Sequence, residues 1–178
     1  MILQAGLGDG FDVIAEGLNG RTTVFGDPKA SYLRAGCDAL PTLLHSHQPL
    51  DLVVIMLGSN DIMVAERSAR AAARGMTRLV EITRQHPYWG GAQVPHVLLV
   101  APPPCVADVA GETTDRDIAE TGKLAALYAG VAQDLGCSFF DAGAVASAAL
   151  PDGIHHDATG SRAIGKALIP VVQAIVGQ

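Results

Sequence analysis

Leu52-Val53-Val54-Ile55-Met56-Leu57-Gly58-Ser59-Asn60-Asp61 is an unbroken apolar run that ends in a small, polar turn. Six apolar residues in succession leave no polar face. A strand built from them must be covered on both sides, which is the condition inside a parallel sheet flanked by helices. Three further apolar runs read as strands: Phe11 to Ala15, Val97 to Ala101 and Ser138 to Phe140. Helical patterns separate them. From Ala69, the positions Ala72, Ala73, Met76, Leu79, Val80 and Thr83 keep a 3.6-residue period. Ile118 to Leu135 does the same through Leu124, Leu127, Tyr128, Val131 and Leu135, and Gly136 is placed to stop it. A last helix runs from about Ala158 to Ile175, with Asp157 as its expected N-cap and Pro170 expected to bend it or loosen a turn. Strands alternating with helices give an α/β fold with a parallel sheet, in which chemistry sits beyond the C-terminal strand ends.

The 178 residues suffice for a single domain over 1–178 with a real core. Apolar residues make up 49% and aromatics 4%, so that core must be aliphatic. Mean hydropathy is +0.28. With 12 basic and 18 acidic residues the net charge is −6, which repels phosphate backbones and argues against nucleic acid. Arg67, Arg70, Arg74 and Arg78 recur at helical spacing and read as a solvated face, with an oligomer contact or an anionic ligand as the alternatives. Cys37, Cys105 and Cys137 form no CxxC pair and fit core positions in a reducing compartment, so a cytoplasmic location is expected. No run reaches the length of a membrane span, and Met1-Ile2-Leu3-Gln4 has no signal-peptide character.

The strand ends carry the chemistry. After the first run comes Glu16-Gly17-Leu18-Asn19-Gly20-Arg21-Thr22-Thr23, where two close glycines let the backbone approach a ligand and the Gly20 amide could face it. After the second comes Gly58-Ser59-Asn60-Asp61. The Asn60 amide could donate to a developing oxyanion without changing the charge of the site, with Asp61 capping the next helix. Pro102-Pro103-Pro104 would stiffen a pocket wall. Before the last helix, Asp152 and His155 stand three apart in Leu150-Pro151-Asp152-Gly153-Ile154-His155-His156-Asp157. A turn there can bring the carboxylate to one ring nitrogen while the other faces a pocket, as a general base requires. Each piece alone also reads as a turn or a cap; their conjunction in one order at strand ends is what carries weight.

In these blocks the sequence resembles the SGNH, or GDSL-type, hydrolase family. Gly17-Leu18-Asn19-Gly20 matches its second block, Gly58-Ser59-Asn60-Asp61 its third and Asp152-Gly153-Ile154-His155 its fifth. The stretches Glu16 to Thr23 and Met56 to Asp61 look like its arylesterase and acyltransferase subgroup. The resemblance implies a three-layer, flavodoxin-like α/β/α fold. It also implies hydrolysis of small carboxylic esters, or acyl transfer from them, through a serine acyl-enzyme. It gives Gly20 N–H and the Asn60 side chain as oxyanion donors, His155 as base and acid, and Asp152 as the group that orients it. No cofactor is implied. The expected partner is a small-molecule ester, with no nucleic acid and no membrane, and a homo-oligomer is left open.

One block is absent. The family carries its nucleophile in a Gly-Asp-Ser motif directly after the first strand, and none of Ser31, Ser46, Ser59, Ser68, Ser138, Ser147 and Ser161 lies in one. Ser59 neighbours Asn60, but alternation at a strand end aims it elsewhere. Met1 to Gly8 reads as the end of the helix that would follow strand one. The expectation is therefore a missing first strand, loop and most of a helix, roughly 30 residues by the size of a βα unit. In the family that strand lies between the runs at Phe11–Ala15 and Leu52–Leu57. Either the full protein begins earlier and is an active esterase, or the chain is an inactive truncated relative or an acyl- or glycan-binding module. Rival motifs fail on context. Gly160 to Lys166 mimics a phosphate loop, but it lies in a helix and ends in Ala167. Gly6, Gly8 and Gly10 follow no strand. In His155, His156 and Asp157 adjacent side chains point differently and no further ligand has the usual spacing, and His45 and His47 read as a solvated loop, so no metal is expected.

Overall fold

The computed structural model describes residues 2–63, 67–111 and 115–177. Three strands form one parallel sheet in the order β1 (Leu52–Ile55), β2 (His96–Ala101), β3 (Ser138–Asp141). Val53 pairs with Val97, and Leu99 with Phe139. The central strand, β2, is buried from Val97 to Ala101, as its unbroken apolar sequence requires.

Alternation along β2 divides the core into two. Val97, Leu99 and Ala101 face one side with Ile55. They pack there against α3 (Ala69–Gln85) through Ala72, Met76, Leu79 and Val80, and against α5 (Leu124–Leu135) through Leu124, Tyr128 and Ala132. Leu98 and Val100 face the other side and meet Ile164, Leu168 and Ile175 of α6 (Ala158–Val176). A short helix, α1 (Ile2–Leu7), lies on α6, and α2 (Gly36–His47) lies on α3. The fold is thus three-layered α/β/α, as expected.

Local chemistry sets several boundaries as anticipated. Asp157 caps α6 by accepting from Gly160 N–H at 2.7 Å, and Gly136 ends α5 with φ 60°. Ser68 caps α3. Pro170 leaves α6 continuous. The arginine stripe is a surface face: Arg70 and Arg74 are exposed, Arg78 pairs with Glu81, and Arg67 lies 4.2 Å over the Phe25 ring.

Two expectations are corrected. Ile118 to Leu135 is not one helix: α4 (Ile118–Thr121) stops at Gly122, and α5 restarts at Leu124. Phe11 to Ala15 is not a strand. A strand needs a ladder partner, and none flanks this segment among the described residues, so it runs without sheet pairing. The outer edge of β1 is likewise unpaired among the described residues. Val54 there is 41% exposed, Met56 is 38% exposed, and Ile14 across from it is 45% exposed. A sheet this short fits the expectation of a first strand that lies outside these residues.

Candidate active site

A groove of about 550 Å³ follows that free edge. Val53 to Leu57 form one wall, and Ile14 and the Leu40, Leu43 and Leu44 side of α2 form the others. At its polar end Gly20, Asn60, Pro102, Arg116 and His155 line the same space. Three of the four candidate residues therefore meet there, coming from the loops after Ala15, after β1 and before α6. Asp152, the fourth, reaches the groove through His155.

The base pair is built within a single turn. Asp152 Oδ1 accepts from the amides of Ile154 (2.9 Å) and His155 (3.0 Å), while Oδ2 lies 2.7 Å from His155 Nδ1. The His155 side chain beside it, reinforced by those two amides, holds the Asp152 carboxyl well below the usual carboxylate range. An ionised carboxylate only accepts, so Nδ1 carries a proton, and a ring acting as base has its lone pair at Nε2. The His155 side chain is 68% exposed, so that lone pair is open to a reactant. The turn is strapped to the body of the fold where Val106 N–H donates to Gly153 O at 2.8 Å and Gly153 N–H to Ala149 O at 3.0 Å. Only glycine fits at 153: its φ is +66°, and a Cβ would lie 2.1 Å from Val106 O.

The opposite side is built from contacts far apart in sequence. Leu18 to Arg21 forms a turn closed by Arg21 N–H to Leu18 O, a bond in which Gly20 N–H takes no part. Arg34 Nε donates to Gly20 O at 3.1 Å and its Nη1 pairs with Asp27, which fixes the Gly20 carbonyl. Asn60 Nδ2 donates to Arg21 O at 3.0 Å, and Asn60 Oδ1 accepts from Arg116 Nη2 at 2.6 Å. Asp61 does not cap a helix as expected. It is fully buried and accepts from Thr23 N–H and Thr23 Oγ1, tying the Gly20 loop to the 3-10 turn Ser59–Met63. Burial pushes its carboxyl up to about 6 despite those donors.

Ser59 lines the groove as well, where strand alternation aimed it away, because this stretch is a 3-10 turn and not a strand. Cys105 is 2% exposed and burial raises its thiol, so it does not stand in for a nucleophile. Among the described residues no cluster of three metal-binding side chains occurs, and no helix is long and apolar enough to cross a membrane. Sequence reasoning missed Arg116 and Arg34. Their partners lie 56 and 14 positions away, and no local pattern marks either arginine.

Comparison with known proteins places the chain in a family. Residues 2–163 match the GDSL-like Lipase/Acylhydrolase family. The chain belongs to that family. A carbohydrate acetylesterase family member from Sinorhizobium meliloti is 42% identical at a TM-score of 0.92, over 99% of this chain and 85% of that one. A provisionally named arylesterase from Agrobacterium tumefaciens str. C58 is 48% identical at 0.94, over 98% and 85%. The aryl esterase of M. smegmatis is 37% identical at 0.86, over 98% and 83%. No curated protein sequence matches. Within this family the chain is a serine ester hydrolase by resemblance, and an ester is its class of substrate.

Proposed function

We propose that the chain supplies the base and the oxyanion donors of an esterase acting on small carboxylic esters. The serine is carried by a strand seated in the groove along β1. The observation that carries this reading is the convergence of His155, Asn60 and Gly20 at the end of an apolar slot beside the outer edge of β1, which has no strand partner among the described residues. A serine at the C-terminal end of a strand in that slot would emerge among them. Its Oγ would attack the ester carbonyl while His155 Nε2 takes the proton. The developing O⁻ would receive Asn60 Nδ2–H and Gly20 N–H. His155 would return the proton to the departing alkoxide, and water would then release the acid from the acyl-enzyme. An alcohol in place of water gives acyl transfer by the same steps. The name of one relative, a carbohydrate acetylesterase family member, supports a small acyl group.

The test is p-nitrophenyl acetate hydrolysis by the 178-residue chain, alone and extended by a strand–Gly-Asp-Ser–helix segment. Turnover is expected with the segment. His155→Ala should abolish it and Asn60→Ala should lower kcat roughly 10²-fold or more. Near-normal turnover by His155→Ala refutes the base, and equal activity of the unextended chain refutes the added serine. Ester binding with no turnover in the extended chain would mark a binding module instead.

A further inference from the structure

Arg116 stands in the loop before α4, is 7% exposed, and has no part in the base pair. Among the described residues its guanidinium reaches Ser59 O from Nε at 3.2 Å, Asp115 Oδ1 from Nη1 at 2.8 Å, and Asn60 Oδ1 from Nη2 at 2.6 Å. The last matters most. A carboxamide can sit either way round, and only its NH₂ end can serve an oxyanion. Here the two ends are distinguished by their neighbours. Arg116 presents a donor that cannot accept, and Arg21 O presents an acceptor that cannot donate. Turning the amide over would set NH₂ against guanidinium and oxygen against carbonyl. Two hydrogen bonds would become two repulsions, one of them with a buried charge.

We propose that Arg116 is a positioning residue that locks the Asn60 carboxamide with its NH₂ toward the groove and strengthens it as a donor. This rests on the reading of Asn60 as an oxyanion donor. The guanidinium is a cationic donor, so its bond to Oδ1 is charge-assisted. That bond draws density from the amide nitrogen toward oxygen. The remaining Nδ2–H becomes a better donor at the moment negative charge appears on the substrate. One Nδ2 proton is taken by Arg21 O, so the geometry leaves one for the oxyanion. The fork shape also explains why arginine suits this place. A lysine carries its donors on one nitrogen, without the fixed planar fork that here spans Ser59 O and Asn60 Oδ1. Keeping both fixes the backbone and the side chain of the turn with one group.

Two readouts separate this from simple structural support. In the ¹⁵N-labelled 178-residue chain, the Asn60 side-chain NH₂ signals are assigned by their loss in Asn60→Asp. Arg116→Met should move them upfield and speed their interconversion, and Arg116→Lys should restore part of the shift. In the serine-extended enzyme, Arg116→Met should lower kcat for p-nitrophenyl acetate roughly tenfold with little change in KM, less than the loss of the donor itself. If the Met variant does not fold, Arg116→Gln keeps a neutral donor and serves the same comparison. Asn60 signals at their wild-type positions in the variant overturn the lock. Moved signals with unchanged kcat overturn the catalytic consequence. No turnover in the extended parent would instead sink the esterase reading, and the amide signals would still decide whether Arg116 holds Asn60.

Discussion

Asp61→Asn should flatten the pH dependence of stability that Asp61 imposes. The carboxyl is fully buried, and burial outweighs three hydrogen bonds from Thr23 to push it from 3.8 to about 6. A folded-state value above the unfolded one means that folding favours the protonated form. The stabilisation is therefore complete below about pH 4 and is lost as pH rises through 6. At about 1.4 kcal/mol per pH unit, the interval from 3.8 to about 6 corresponds to roughly 3 kcal/mol. Asparagine is neutral throughout, and its Oδ1 can still accept from Thr23 N–H and Oγ1. Urea denaturation of both proteins at pH 4.5, 6 and 7.5 reads the difference. The variant should gain on the wild type with rising pH, by up to about 3 kcal/mol, and level off above pH 7. A wild-type-minus-variant difference that stays flat across this range would refute the reasoning. So would a difference of opposite slope, which would mean that the Thr23 donors outweigh burial and depress the carboxyl.

Two neighbouring substitutions test the packing behind Asn60. Gly58→Ala should cost about 3 kcal/mol or more by thermal or urea unfolding, because φ is +119° and the added Cβ would lie 2.0 Å from Tyr128 Oη; an unchanged midpoint would refute the clash. Tyr128→Phe should cost about 1–2 kcal/mol by losing the buried bond from Tyr128 Oη to Leu57 O at 2.9 Å, and removing that oxygen should make Gly58→Ala less harmful in the double variant than the sum of the two. Strict additivity would show that strain at φ, and not the Tyr128 contact, sets the cost at position 58.

What the sequence makes legible here is what local chemistry decides. The run Leu52 to Leu57 reveals a covered strand because burial on both faces leaves no polar position, and β1 occupies its first four residues. The Asp152–His155 pair is legible because three residues of one turn suffice to make it. Phe11 to Ala15 misleads for the complementary reason: its apolar character is local, but a strand exists only with a partner beside it. The break between α4 and α5 was hidden because the apolar period continues across Gly122. Asp61 looked like a cap because caps are local. Its actual partner, Thr23, is 38 residues away, in a loop brought close by the packing of α2 and α3.

The candidate site also divides mechanically in a way that no single motif reveals. The oxyanion side is one hydrogen-bonded unit: Arg34 holds Gly20 O, Arg21 O holds Asn60 Nδ2, Arg116 holds Asn60 Oδ1, and Asp61 ties the whole to Thr23. The base side is another, closed on itself by Asp152, Ala149 and the Val106–Gly153 strap. The two face each other across the groove. The elements that carry them, β1, β2 and α6, set their separation. A group that attacks from between them must be held at the right height by the same sheet. Seating the nucleophile on a strand against β1 meets that condition, because its register is then fixed by the ladder that also carries Asn60. A serine on a mobile loop would not. This is the physical reason to look for the missing group along the free edge of β1 and not among the surface serines of the chain.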